Sequence, residues 1–262
     1  GMYFALLGLP FIILGTNFYA SVSPAIILFG IAKGAAIGSL ALIAIPLMLL
    51  VMPLPQVLAV CLPLLIIMDW IAFYKYRKSF SKENLKFMIP AGLLGTIIGY
   101  YTFSFFEEKH LKLIIGFIGL FFTLNYYIKI NKEIIKQKTS TIKGSFWSIA
   151  SGFAGFCAHS GGTPISVYLV PLRLEKTKYV GTRITYFFFL NIFKLIFYIP
   201  LNFINFENLK LSLMLAPFIP VGILFGFWIV KNVSQKTFYN IVYAVIFLSS
   251  SKLIYENFFR VF

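Results

Sequence analysis

Long apolar runs separated by short polar loops recur from one end of the chain to the other, at about 2–20, 24–52, 57–74, 87–105, 111–128, 144–171, 184–201, 211–230 and 238–255. Most are long enough for a helix to cross a bilayer core, which takes roughly 18–20 apolar residues. None keeps the strict alternation of a barrel strand, and a helix satisfies its own backbone groups in lipid. The pattern therefore predicts an all-α, polytopic membrane protein, with residues 1–262 forming a single transmembrane domain. Two runs carry a polar interruption: "GIAKGAAIGS" from Gly30 to Ser39, and "GFAGFCAHSGG" from Gly152 to Gly162, continued by Thr163 and Pro164.

The interruptions belong to a wider repetition. "IPAGLLG" (Ile89 to Gly95) returns as "IPVGILF" (Ile219 to Phe225), 130 residues on. Pro46 and Pro171 close the two interrupted runs, 125 residues apart. At a spacing of 122, Ala59 meets Gly181 and Asp69 meets Asn191. Matches in one order at nearly one spacing predict two related halves, 24–128 and 144–255, preceded by an extra N-terminal helix at 2–20. Internal repeats of this kind are common in secondary transporters.

Composition agrees with a membrane protein. Hydrophobic residues make up 60% of the chain, mean hydropathy is +0.88, and only 12% of residues are charged; a soluble domain has about 25%. The net charge of +15 would suit nucleic acid. It sits, however, in short loops between apolar runs, as the positive-inside bias requires, so the lipid bilayer rather than nucleic acid is the expected partner. Neither a basic leader nor a cleavage site is evident at the start, and no signal peptide is expected.

Loop charge also bears on topology. The loops at 75–86, 105–112, 129–143, 172–183 and 202–210 carry +4, 0, +4, +3 and 0; Lys231 with Lys236 gives +2, and the C-terminal end +1. If 144–171 crosses the membrane once, the bias is +9 against +5. If it dips in and returns, the count becomes +13 against +1. The second arrangement is preferred. Applied to both halves, it gives each a re-entrant, broken-helix hairpin plus three transmembrane helices. Three is odd, so the halves form inverted repeats.

Three ionisable residues fall inside apolar runs, Lys33, Asp69 and Lys194. Such groups are costly in a membrane and usually functional or paired. Asp69 lies close to Lys75 and is expected near the cytoplasmic interface. In the second hairpin, Gly161 and Gly162 are expected to adopt backbone angles closed to other residues. Thr163 is expected as the N-cap of a new half-helix and Pro164 as its first residue. In the first hairpin, Gly38 and Ser39 offer a weaker copy of that break. Half-helix N-termini facing each other favour an anion. Lys33 and Lys194 add full charge, and His159 adds a donor or a proton acceptor. The candidate substrate-binding set is Lys33, Gly34, Gly38, Ser39, His159, Ser160, Gly161, Gly162, Thr163, Asn191 and Lys194. Neither a catalytic constellation nor metal-ligand spacing occurs, so the chain is not expected to be an enzyme, and no metal or cofactor is expected.

The stretches "GIAKGAAIGSLALIAIP" and "SGFAGFCAHSGGTPISVYLVP", the later "IPAGLLGTIIG" and "IPVGILFG", and "GT" at Gly181 and Thr182 resemble the sulfite exporter TauE/SafE family, within the four-helix-repeat anion permeases. The resemblance runs from about residue 24 to near the end. The family's longer glycine runs are replaced here by Gly38-Ser39-Leu40 and by His159-Ser160 ahead of two glycines. The resemblance implies a secondary transporter, an exporter of sulfite or an organosulfonate such as sulfoacetate, in the bacterial inner membrane. Alternatives are a transporter or channel for another small anion or an organic acid. A homodimer is left open.

Overall fold

The computed structural model describes residues 2–102, 105, 108–128 and 137–259, with side chains from Phe18 on except those of Ser39, Leu42, Glu108, Leu111, Lys112, Phe258 and Phe259. Among these residues the chain is helical, without strands. Helix α1 spans Met2–Gly34, α2 Ala41–Leu49, α3 Leu54–Tyr76, α4 Lys82–Thr102 and α5 Glu108–Ile128. The second half follows with α6 Thr141–Ala158, α7 Gly162–Leu169, α8 Lys176–Tyr198, α9 Phe206–Leu215, α10 Ile219–Asn232 and α11 Gln235–Ile254. Four stretches are long and apolar enough to cross a membrane: Leu54–Tyr76, Lys176–Tyr198, Phe206–Asn232 and Gln235–Asn257. The protein is a polytopic membrane protein.

Helix starts follow the polar loops. Ser140, Asn205 and Ser234 cap α6, α9 and α11 through side-chain oxygens that accept backbone N–H groups. Glu175 caps α8, accepting from the N–H groups of Thr177 and Lys178. The α9–α10 junction is a 3₁₀ turn over Ala216–Phe218, where Pro217 and Pro220 supply no backbone donor.

One boundary differs from the sequence reading. The apolar runs at 2–20 and 24–52 are not separate elements at their junction, because α1 continues unbroken for 33 residues. Nothing between Ala20 and Pro24 stops a helix, since Ser21 and Ser23 are tolerated and Pro24 only removes one donor. The first break comes later, after Gly34, where residues 35–37 leave the helix and a 3₁₀ turn over Gly38–Leu40 leads into α2.

Packing exchanges partners between the halves. Helix α1 lies against α10 and α4 against α6, while α3 pairs with α8 and α5 with α11. The two crossed pairs close on glycine. A side chain at Gly30 would meet Gly222, and one at Gly222 would meet the Ile27 carbonyl. On the other side, a side chain at Gly152 would meet the Gly92 carbonyl, and one at Gly95 the Ile149 carbonyl. Small residues let membrane helices approach this closely, which is where dispersion contacts supply the attraction that lipid does not.

Candidate functional site

Both breaks are built from unusual backbone. Ala36 has φ 54° and His159 φ 47°, left-handed values that cost a non-glycine residue roughly 1–3 kcal/mol and are typical of ligand sites. None of the described glycines has positive φ. Gly161 and Gly162 are therefore not there for backbone angle, as the sequence suggested, but for proximity. A side chain at Gly162 would lie 2.6 Å from the carbonyl carbon of Gly38, and one at Gly161 would strike the Ser151 carbonyl. The two breaks thus touch, Gly38 against Gly162. The chain also folds back at the second break: Ser151 Oγ donates to the Gly161 carbonyl at 2.7 Å. The N-cap of α7 is Gly161, not Thr163; the helix starts earlier than expected, and Thr163 falls in its first turn with Oγ1 unpartnered among the described residues.

Beside this contact lies a cavity of about 50 Å³, room for roughly three to five waters or one small anion. Of the eleven candidates, Lys33, Gly38, His159, Gly161, Gly162, Asn191 and Lys194 line it, joined by Arg183 and Phe187. Gly34 faces away, packed on Ile223 and Gly226 of α10. Ser160 turns its hydroxyl to the Ala154 carbonyl, and neither it nor Thr163 lines the cavity. The side chain of Ser39 lies outside the described residues.

The cavity wall is a connected polar network. Lys33 Nζ donates to Asp69 Oδ1 at 2.6 Å and sits 5.2 Å from the Phe187 ring centre. Asn191 Nδ2 donates to Asp69 Oδ2 at 2.6 Å. Lys194 Nζ donates to the Gly155 carbonyl at 2.6 Å and to Asn191 Oδ1 at 3.2 Å. Asp69 is fully buried here, which corrects its expected place at the interface: it faces Lys33 across the α1–α3 contact rather than Lys75 along its own helix.

Arg183 was missed. Counted with the 172–183 loop, it lies two turns inside α8, is 1% exposed, and has no carboxylate partner among the described residues. Its guanidinium donates to Ser166 Oγ at 2.5 Å, Tyr179 OH at 2.9 Å and the Gly162 carbonyl at 3.1 Å. A side chain at Gly38 would occupy the guanidinium's place. The signal in the sequence was position: Arg183 follows Gly181 and Thr182, more than one helix turn past the last loop lysine, Lys178. With it, the charged side chains at the cavity are Lys33, Arg183 and Lys194 with Asp69 behind them, a formal +2 with His159 neutral. Unused donors remain, since Lys33 spends one of three on Asp69 and Arg183 has five.

A buried cationic cavity where two helix breaks meet, inside a bundle of apolar helices, defines a polytopic membrane transport protein. The model of the sulfite exporter TauE/SafE family matches residues 22–253, and the chain belongs to that family of transporters. Comparison with curated proteins and with solved structures returned no match.

Proposed function

We propose that the protein is a secondary transporter that exports a small sulfur-containing anion, sulfite or an organosulfonate such as sulfoacetate, across a bacterial inner membrane. The observation that carries this reading is the formal +2 of the cavity wall. Three basic side chains, Lys33, Arg183 and Lys194, stand at the cavity with one carboxylate, Asp69, and an anion there would meet their excess of donors and formal charge. The anion takes the unused donors of Lys33, Arg183 and Lys194, with the first-turn N–H groups of α7 beside it. Oxyanions with several equivalent oxygens match this ring of donors, whereas a carboxylate offers two oxygens on one edge.

Alternating access then follows from the bistable pairs around the site. The contact between Gly38 and Gly162, and the bridge from Lys33 through Asp69 to Asn191, join the two halves across the cavity. An anion that draws Lys33 away from Asp69 loosens one link as it forms others. Exchange of partners between halves, α1 on α10 and α4 on α6, supports inverted repeats with a hairpin in each.

Flux of labelled sulfite into proteoliposomes tests the reading. It should saturate with concentration and be inhibited by sulfoacetate more strongly than by lactate. A preference for lactate contradicts the sulfur-anion assignment, and flux without saturation favours a channel.

A further inference from the structure

His159 closes the cavity at the second break, 7% exposed, and its two ring nitrogens have different tasks. Nε2 lies 3.2 Å from the Leu58 carbonyl on α3. A carbonyl oxygen only accepts, so Nε2 carries the proton, and in a neutral imidazole Nδ1 is then a lone-pair acceptor. Nδ1 is buried and has no partner among the described residues. The other side-chain acceptors of the network each already accept a hydrogen bond: the two Asp69 oxygens from Lys33 and Asn191, and Asn191 Oδ1 from Lys194. The titratable groups that share the cavity wall with His159 are Lys33 on α1 and Arg183 and Lys194 on α8, and the Tyr198 ring of α8 lies 6.4 Å from the imidazole. Among the described side chains lining the cavity, Nδ1 is thus a buried acceptor that no donor meets.

We propose that the anion occupies this cavity together with one proton, held between one of its oxygens and Nδ1 of His159. The inference rests on the anion-transport reading above. A hydrogen-bearing monoanion such as hydrogensulfite donates its O–H to Nδ1 and brings the proton itself. A sulfonate has no O–H to give, so Nδ1 takes a proton from solvent and the imidazolium donates to a sulfonate oxygen. A sulfate dianion has no O–H either, so it too binds only once Nδ1 has taken a proton from solvent. On release hydrogensulfite carries its own proton away, whereas after a sulfonate leaves the imidazolium returns its proton to solvent on the side to which the cavity is then open.

Calorimetry on the purified protein, in buffers of differing ionisation enthalpy and mildly acidic pH, separates these cases. Methanesulfonate binding should take up about one proton per anion, hydrogensulfite binding close to none, by linkage. Sulfate binding, like that of methanesulfonate, should take up about one proton. In His159→Gln the proton uptake with methanesulfonate should vanish. Methanesulfonate binding without proton uptake in the wild type, unchanged uptake in His159→Gln, or hydrogensulfite binding with the same uptake as methanesulfonate each overturns the proposal. The wild-type arms decide it even where the variant does not fold. Binding without proton exchange removes this inference and leaves anion transport standing; no binding of any of the three anions removes both.

Discussion

Asp69 and Lys33 set the energetics of the site. Asp69 is fully buried and the Lys33 side chain only 13% exposed, so deleting one leaves the other as an uncompensated charge, worth roughly 3–5 kcal/mol in comparable buried pairs. Lys33→Met should therefore lower the melting temperature in detergent strongly, and the double variant Lys33→Met with Asp69→Asn should recover most of that loss. Recovery of stability without recovery of flux separates structure from function at this pair; a double variant as unstable as the single one contradicts the pairing. Arg183 has a different task. Its five donors in a planar fork match an oxyanion in a way an ammonium does not. Arg183→Lys keeps the charge and should still weaken anion binding by about 1.5–3 kcal/mol, roughly tenfold to a hundredfold. An affinity unchanged by that substitution, measured by anion-dependent thermal shift, removes Arg183 from the site. Lys33, Lys194 and His159 could be chosen from sequence because ionisable residues stand out in apolar runs. Arg183 could not, because it sits near a loop in sequence, and only the fold shows that α8 has already entered the core by that residue.

At the scale of elements, the crossed pairs depend on glycine. A methyl group at Gly152 meets backbone of Gly92 and Thr96, which cannot retreat as a side chain can. Gly152→Ala should cost about 1–3 kcal/mol by overpacking, read as a fall in melting temperature; Gly155→Ala, with its nearest neighbour at 3.6 Å, should be tolerated. Equal effects at the two positions contradict the close approach of α4 and α6. Gly92, Gly95 and Gly99 stand at the spacing of small residues by which membrane helices approach closely, but that spacing alone names no partner helix. The cap of α8 tests a loop in the same way. Burial raises the Glu175 carboxyl, but hydrogen bonds from Thr177 and from the N–H groups of Thr177 and Lys178 outweigh it and hold it below the ordinary range. A carboxyl lowered on folding contributes stability above its unfolded pKa and loses it as pH falls through the folded value. The melting difference between wild type and Glu175→Gln should thus be present at neutral pH and close below about pH 4. A gap that does not change with pH contradicts the cap. Sequence did not locate the start of α7 or the left-handed residues, since Thr-Pro after two glycines is a good cap signal in isolation. Contact between Gly38 and Gly162, which no local pattern encodes, decides where the helix begins.

At the scale of the whole molecule, the loop charges and the hairpin argue for one arrangement in the membrane. Cysteines introduced at Lys138 and Lys176, in a chain whose buried Cys61 and Cys157 are replaced, should be labelled from the same side. Labelling from opposite sides contradicts the re-entrant hairpin and, with it, the inverted repeat. The apolar runs and the two breaks were readable from periodicity and spacing. The continuity of α1 was not, because a polar Ser-Val-Ser-Pro stretch looks like a loop and is a tolerated part of a helix. The meeting of Asp69 with Asn191, 122 residues apart, joins the two scales: positions matched by the sequence echo hydrogen-bond to each other beside the cavity. The most direct test is concentration-dependent flux of labelled sulfite in proteoliposomes of the wild type and of Arg183→Gln at matched protein content. Saturable wild-type flux, reduced about tenfold or more in the variant, is the expected result; equal flux through both, or flux that rises without limit, contradicts an anion site at the meeting of the two breaks.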